Sequence, residues 1–442
     1  MIEAQLETLR KLLRDPSLVI TDDVVRKVHQ FMEEFPRKLT DAEQQEILSL
    51  LVRPTKEKKA LVPFDNLIPS DGWLRSYYEY TLRSEPPTVF HFASSLTVVG
   101  AALERQVYLD RGFYKLYPSV AVCLVAPTGR CRKTSATNIA LSLARAVGIT
   151  VLSDKVTPEA LVTGLSGKTT SCGLVYAPEL AVFLGKQKYL EGMVPLLTSL
   201  FDAPNVWTSS TIGRGDLKLH EVGLSFLAAS TMEWFVEALP TEAFTGGFMS
   251  RIIFVAQERT DREFAFPEPG LGHSWEKLRE ELAEIKEVKG EVTLTKDAHD
   301  WYVPWYSTQK NLVPPDEKFA GYYARKPEHL LKFAYLLRVA RDRQLQITRS
   351  DLELGLKILD WMEDSLPHVF TAVTGTYTGG LQQRVLQQLR QAGGRITHST
   401  LLRKNQHVMN ARQFREVIDT LKESGCIREI RSPLSHDYEV IE

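Results

Sequence analysis

Between residues 119 and 257 the chain carries five near-continuous apolar runs separated by segments of helical periodicity: SVAVCLVA (119–126), ITVLS (149–153), CGLVYA (172–177), VGLSFLAAS (222–230) and RIIFVAQ (251–257). A strand that is apolar at every position has both faces buried, and strands joined through helices run parallel. The spacing therefore predicts an α/β core built on a five-stranded parallel sheet with helices on both faces. A length of 442 residues allows about three domains. With 43% hydrophobic and 25% charged residues, a disordered or collagen-like chain is excluded.

The flanks divide the rest. Residues 1–60 read as an N-terminal helical domain, with Val24, Val25, Val28 and Phe31 at helical spacing, ahead of a Lys- and Pro-rich linker. The core is expected over residues 61–260. Helices at 274–288, 324–342 and 350–366 suggest a small helical lid over 261–373. GTYTGG (375–380) reads as a linker into a last unit, 374–442, whose pattern of three helices and a hairpin is that of a winged helix.

Four cysteines without C-x-x-C spacing, no apolar signal-peptide core in MIEAQLETLRKLLRD and no apolar run of membrane-spanning length point to a cytoplasmic protein with no membrane partner. Lys and Arg (54) balance Asp and Glu (55), so a polyanion would have to be held by local basic patches.

The first apolar run leads into PTGRCRKTSATNIALSLARAV, where Lys133 and Thr134 open a helix. Strand, turn, Lys-Thr and helix is the order of a phosphate-binding P-loop, in which backbone amides cradle phosphates, the lysine reaches the outer phosphates and the hydroxyl holds Mg²⁺. Pro127 and Arg132 occupy both consensus glycine positions, and only Gly129 remains. Arg132 at the second position either adds a phosphate contact or blocks the cradle. A rival, GLSGKTT with Lys168, follows a helical segment instead of a strand, so the context favours Lys133, with Ser135 beside Thr134.

About forty residues on, the third run ends at Glu179, a candidate base for activating water or else a helix cap. Pro178 stands where a magnesium-binding acid would precede it, and Asp202 is a possible substitute or a turn residue. The fourth run ends in Ser230 and Thr231, hydroxyls at the height of a γ-phosphate or lytic water. Arg251, just before the fifth run, is either an arginine finger for a neighbouring subunit or a strand-end salt bridge.

These stretches, with YYARKPEHLLKFAYLLRVARD after them, resemble the AAA+ ATPase superfamily over about residues 85–345. They look closest to the helicase-like ATPases of phages, plasmids and integrated elements. More distantly, the chain is similar to the minichromosome maintenance helicases, where an S-R pair precedes a strand, an arginine opens a lid helix and a winged helix follows. Arg325, Glu328, Lys332 and Ala334 come near that lid pattern. The resemblance implies a hexameric or similar homo-oligomeric ring that binds ATP and Mg²⁺ between subunits. Gly129, Arg132, Lys133, Thr134 and Ser135 would hold the nucleotide, with Mg²⁺ on Thr134. Glu179, Ser230, Thr231, Arg251 and Arg325 would carry catalysis. It further implies translocation on DNA for replication of a phage or mobile element, in a bacterial host cell. An ATP-binding helicase loader or assembly switch with little hydrolysis is the alternative, since both Walker motifs are degenerate, and a DNA-binding regulator with an inactive ATPase core is a third.

Two loops carry the side chains for a single-strand channel. GKQKY offers Lys186, Lys188 and Tyr189, and WTSSTIGRGDLKLHEVG reads as a hairpin with Arg214 at its tip and Lys218 on an arm. Either is otherwise a solvated loop. In the last unit, Arg403, Lys404, Arg412, Arg415, Arg428 and Arg431 are the candidate duplex contacts, unless that unit serves protein contacts. The N-terminal helices leave room for a replication partner.

Overall fold

A computed structural model of the chain describes residues 63–442 apart from 154–155, 168, 185–191, 212–214, 232–246, 271, 311–319, 365–376, 393, 406–408, 410, 432–435 and 442, and only six residues before them. Met1–Pro63 and Phe64–Glu442 form separate compact units. The expected N-terminal helices lie almost wholly outside the described residues; Leu9, Val28, Phe31 and Met32 are helical, and Val28 and Phe35 are buried.

The second unit begins with α1 (Trp73–Tyr80) and α2 (Thr88–Leu103), then a hairpin of β1 (Val107–Asp110) and β2 (Lys115–Leu116). Helix α2 is buried at every position although it carries His91, Ser94, Ser95 and Thr97. It can be, because the hydroxyls of Ser94, Ser95 and Thr97 donate to the carbonyls of Phe90, Phe92 and Ala93 in their own helix. Gly100 lets α2 approach the chain, since a Cβ there would stand 2.6 Å from the Pro118 carbonyl oxygen.

The main sheet is built from β3 (Ala121–Val125), then α3 (Lys133–Ala146), β4 (Val151–Ser153), α4 (Pro158–Leu165), β5 (Cys172–Ala177), α5 (Leu180–Leu184) and α6 (Met193–Phe201). A two-stranded hairpin of β6 (Val206–Thr211) and β7 (Gly215–His220) precedes β8 (Gly223–Ser230) and β9 (Ile252–Ala256). Strand order is β4-β5-β8-β3-β9, all parallel. The five strands expected from the apolar runs are these five, and every residue of β3, β5, β8 and β9 is buried. Because β8 is inserted between β3 and β5, the end of β8 lies between the loop after β3 and the acid after β5.

Beyond residue 260 come α7 (Trp275–Lys286), β10 (Gly290–Leu294), α8 (Lys296–Lys310), α9 (Ala320–Asp342), β11 (Gln346–Ile347) and α10 (Arg349–Asp364). This segment was expected to be helical, yet β10 and β11 join β1 and β2 in a second sheet of order β11-β10-β1-β2. Val107 to Leu109 pair in parallel with Gly290 to Val292. Residues on either side of position 260 also share one hydrophobic core, and the Trp73 indole donates to the Leu278 carbonyl at 2.8 Å.

The C-terminal segment has its own core around Val385, Leu389, Phe414 and Val417. It comprises α11 (Tyr377–Gln391), β12 (Arg395–Thr397), α12 (His398–Asn405), α13 (Ala411–Glu423), β13 (Ile427–Arg431) and β14 (His436–Val440). The three helices and hairpin read from the sequence are present, with two differences: α11 already begins at Tyr377, inside the GTYTGG stretch read as a linker, and one strand is added. Residues 395–397, part of them assigned by the sequence to the second helix, pair as a third strand beside β14. No helix among the described residues is long and apolar enough to cross a membrane.

Candidate functional site

The loop after β3 is shaped by two left-handed residues, Gly129 (φ 76°) and Arg132 (φ 46°, ψ 42°). A Cβ at Gly129 would meet nothing within 4 Å, so glycine is there for its backbone freedom. Arg132 adopts, against a cost of about 1–2 kcal/mol for an L residue, the conformation that the consensus glycine takes freely. Its Nε donates to Glu85 Oε2 at 2.9 Å, which draws the guanidinium towards Glu85. The Lys133 ammonium donates to the Ala126 carbonyl at 2.6 Å and lies 3.5 Å from that of Pro127. Thr134 and Ser135 are exposed on the first turn of α3, whose N-cap has no side-chain capping bond.

These residues open on a cleft of about 430 Å³ lined further by Thr128, Pro178, Glu179, Leu180, Ser230 and Thr231. The Ser230 hydroxyl, buried, donates to the Thr231 carbonyl at 3.1 Å. Glu179 is exposed, and it is the only carboxylate lining the cleft among the described residues. Its carbonyl, not its carboxylate, accepts from the amides of Val182 and Phe183, so the helix-cap reading finds no support in the side chain. A 2.9 Å bond between the Thr137 hydroxyl and the Tyr176 phenol joins α3 to β5. Two left-handed residues, a helix N-terminus without a side-chain cap, a lysine and the exposed hydroxyl-bearing residues Thr134 and Ser135 fit a polyphosphate. Thr134 and Glu179 line the same cleft and are the side chains that could hold a Mg²⁺ there; Pro178 supplies no side-chain oxygen where a second acid would stand. The rival Lys168 lies outside the described residues, and neighbouring Gly167 does not line the cleft.

Arg251 and Arg325 are elsewhere. They come together, 74 positions apart in sequence, at the opposite end of the parallel sheet, beside Ser119 and Val120 before β3 and Leu224 at the start of β8. From Val120 to Ala126 a strand climbs about 20 Å, beyond the reach of an arginine side chain. Within one chain neither arginine reaches the cleft, so a role for either with a nucleotide concerns the cleft of a neighbouring subunit, as the sequence reading of Arg251 has it.

Arg251 makes a bidentate pair with Asp202, Nε to Oδ1 at 2.9 Å and Nη2 to Oδ2 at 2.6 Å, and Nη1 donates to the Gly247 carbonyl at 2.6 Å. Arg325 lies 3.5 Å from Asp202 Oδ1 and 3.4 Å from Glu328 Oε2. The His329 ring bonds the Ser250 carbonyl at 3.1 Å, tying α9 to the turn that bears Arg251; burial pushes this imidazole down to about 3 and keeps it neutral. Lys332 donates to the Ser119 carbonyl at 2.7 Å, and desolvation pushes its ammonium down to about 8. Arg105 holds the turn after Asp202 by bonding the carbonyls of Ala203 and Pro204, the Asn205 side chain and the Tyr117 phenol.

Glu85, Thr137, Tyr176, Arg105 and His329 were not singled out from sequence, and Asp202 was read as a turn residue or a spare acid. Asp202 is both the end of α6 and the anchor of two arginines, and no local pattern carries that second role because Arg251 is 49 residues away.

The expected hairpin is present as β6 and β7, with Lys218 exposed opposite Thr208; its tip, including Arg214, and the loop with Lys186, Lys188 and Tyr189 lie outside the described residues. In the C-terminal segment Arg403, Lys404, Arg412, Arg415 and Arg428 are exposed. Arg412 pairs with Glu416 at 3.0 Å and Arg428 with Glu439 at 2.5 Å, exposed pairs weak enough for a phosphate to replace. Arg431 ends β13 opposite His436.

No model of a known protein family matches the chain, and a search of curated proteins finds no match.

Proposed function

We propose that the chain is an ATP-hydrolysing motor of the AAA+ type that works on DNA as a ring of identical subunits. The observation that carries this reading is the content of one cleft: a left-handed P-loop turn, Lys133, Thr134, Glu179 and the Ser230–Thr231 strand end, held side by side because β8 lies between β3 and β5. In the proposed reaction the loop amides and Lys133 bind the phosphates, Glu179 takes the proton of the attacking water, and Ser230 or Thr231 orients that water or the γ-phosphate. Mg²⁺ on Thr134 would neutralise charge between the outer phosphates. Arg251 and Arg325 act on the nucleotide of the adjacent subunit, since their own is out of reach.

In this reading residues 261–373 act as the lid and the C-terminal segment is a winged helix that contacts duplex or forked DNA through Arg403, Lys404, Arg412, Arg415, Arg428 and Arg431. The β6–β7 hairpin, with Lys218, and the Lys186–Tyr189 loop face a single strand. The setting, replication of a phage or mobile element in bacterial cytoplasm, follows from the sequence resemblance alone.

A second reading, an ATP-binding loader or assembly switch with little turnover, is favoured by one observation: among the described residues a single carboxylate lines the cleft, so metal binding and water activation compete for Glu179. Steady-state ATP hydrolysis with and without single-stranded DNA, in wild type, Lys133→Ala and Lys168→Ala, separates the two. DNA-stimulated turnover lost only in Lys133→Ala supports the motor. Tight binding without turnover in the wild type would replace it with the switch.

A further inference from the structure

Helix α8 carries aromatic residues on two of its faces. On one, Tyr302 is buried and its phenol donates to the Pro327 carbonyl at 3.2 Å, so this chain's own core has used it. On the other, Asp297, Asp300, Trp301, Pro304 and Trp305 recur at intervals of three and four residues, the spacing of a single helical stripe. With Arg349 at the start of α10 they line an open groove of about 600 Å³.

The Trp301 and Trp305 rings are half-buried and stacked, 5.9 Å between centres and 10° from parallel. An indole in a core finds an acceptor, as Trp73 does at the Leu278 carbonyl. Among the described residues neither Trp301 nor Trp305 has an acceptor for its N–H. The same stripe keeps Pro304 inside the helix, a substitution that costs about 3 kcal/mol and leaves the Asp300 carbonyl without its helical donor. Two indole donors and a flat apolar wall are thus held ready on a face that the core does not need.

Charge and backbone chemistry select the occupant. Two carboxylates line the groove against one guanidinium, and Arg349 Nε is already held by Glu353 Oε1 at 2.7 Å. No lysine lines it among the described residues. A single nucleic-acid strand, which also stacks on indoles, would bring its phosphates against these acids. A helical peptide would bring carbonyls already engaged in its own bonds. An extended polyproline II segment has no internal hydrogen bonds, so its carbonyls are free to accept from the indoles while its pyrrolidine rings lie on the aromatic faces.

We propose that this groove docks a polyproline II segment of a partner protein, with Lys or Arg beside its prolines. The prolines pack on Trp301, Pro304 and Trp305, the two indole N–H groups donate to the segment's carbonyls, and Asp297 and Asp300 take its cations. The groove shares no residue with the cleft, and the proposal does not rest on the nucleotide reading.

The test is fluorescence anisotropy of a labelled peptide of four Pro-Pro-Arg repeats titrated with the full chain, beside a Gly-Gly-Arg peptide of equal length and charge and an oligo-dT strand. The Pro-Pro-Arg peptide is expected to bind roughly tenfold more tightly than the Gly-Gly-Arg peptide. The double variant Trp301→Phe, Trp305→Phe keeps the rings and removes both donors; Asp300→Lys reverses one charge at an exposed position. Each should weaken the Pro-Pro-Arg peptide by roughly fivefold or more, with Asp300→Glu within about twofold and thermal melts showing all three variants folded. Absence of binding by the wild type at millimolar peptide overturns the proposal, as do equal affinities for the two peptides, which would reduce the groove to a patch of charge. Peptide affinity untouched by either the double variant or Asp300→Lys also overturns it. Oligo-dT binding that depends on the Trp pair, with the peptide indifferent to it, would assign the groove to nucleic acid instead.

Discussion

The two ends of the main sheet are built by different means. At the C-terminal end the backbone does the shaping: Gly129 and Arg132 turn the loop, and Thr134, Ser135 and Glu179 are left exposed around an open cleft. At the N-terminal end side chains do it: Arg251 is only 13% exposed and gripped through all three guanidinium nitrogens, and Asp202, Glu328 and His329 tie its neighbours to it. The difference fits the tasks proposed for them. A cleft that admits a ligand must keep its polar groups accessible. An arginine that acts across an interface gains from having its rotamers fixed beforehand, since that ordering cost is then not met at the moment of contact.

The largest expected effect separates the ends outright. Lys133→Ala should abolish turnover together with nucleotide binding, whereas Arg251→Ala should lower turnover by about 10³-fold with binding intact. Fluorescent-nucleotide titration beside a turnover assay reads both. Loss of binding in Arg251→Ala would show that the two ends are not independent and break the comparison. Asp202→Asn, which removes the bidentate acceptor but keeps the shape, should lower kcat roughly 10- to 100-fold through misplacement of Arg251, with KM little changed and partial rescue in Asp202→Glu.

Acid should act on the side-chain end more than on the cleft. Burial pushes both His91, in α2, and His329 down to about 3 from the usual 6.5. The native state thus binds fewer protons than the unfolded chain, so the stability of the neutral rings is complete above about pH 6.5 and is lost as pH falls towards 3, by roughly 5 kcal/mol per ring at the extreme. Lys332 works in the alkaline range. Its ammonium, pushed to about 8 from 10.5, makes stability climb as pH rises between those values. Urea midpoints measured from pH 7 to pH 4.5 should fall in wild type and fall less steeply in His329→Gln. An unchanged slope in that variant would mean the imidazole is not held neutral at the arginine end.

What was legible in the sequence follows the same division. The five strands, the loop after β3, Glu179 and the β6–β7 hairpin are local patterns: runs of apolar residues, a turn, a Lys-Thr pair. The second sheet was not legible, because β2 and β11 are two residues long, too short to alternate, and β1 finds its partner β10 only after some 180 residues. Ile396 and Thr397 were taken into a helix for the same reason: a strand of three residues carries no period, and only pairing with β14 reveals it. The arginine cluster is illegible in kind. Asp202, Arg251, Arg325 and His329 meet through the docking of α9 on the turn before β9, which nothing near any of them announces.

The smallest expected effect sharpens the claim that the cleft is a backbone device. If Arg132 matters for its left-handed conformation and not for its guanidinium, then Arg132→Gly relieves about 1 kcal/mol of strain, gives back about 0.5–1 kcal/mol in unfolded-chain entropy, and leaves both stability and turnover near wild type, the latter within about threefold. Arg132→Val removes the same charge and the same contact with Glu85, yet a β-branched residue resists a φ of 46°. It should cost about 1 kcal/mol or more, read as a roughly tenfold loss in turnover if the loop yields and the phosphates are held out of place. Thermal melts and turnover on the two variants decide between the accounts, because a role for the guanidinium would damage Gly and Val variants equally, and a role for the backbone damages only the second.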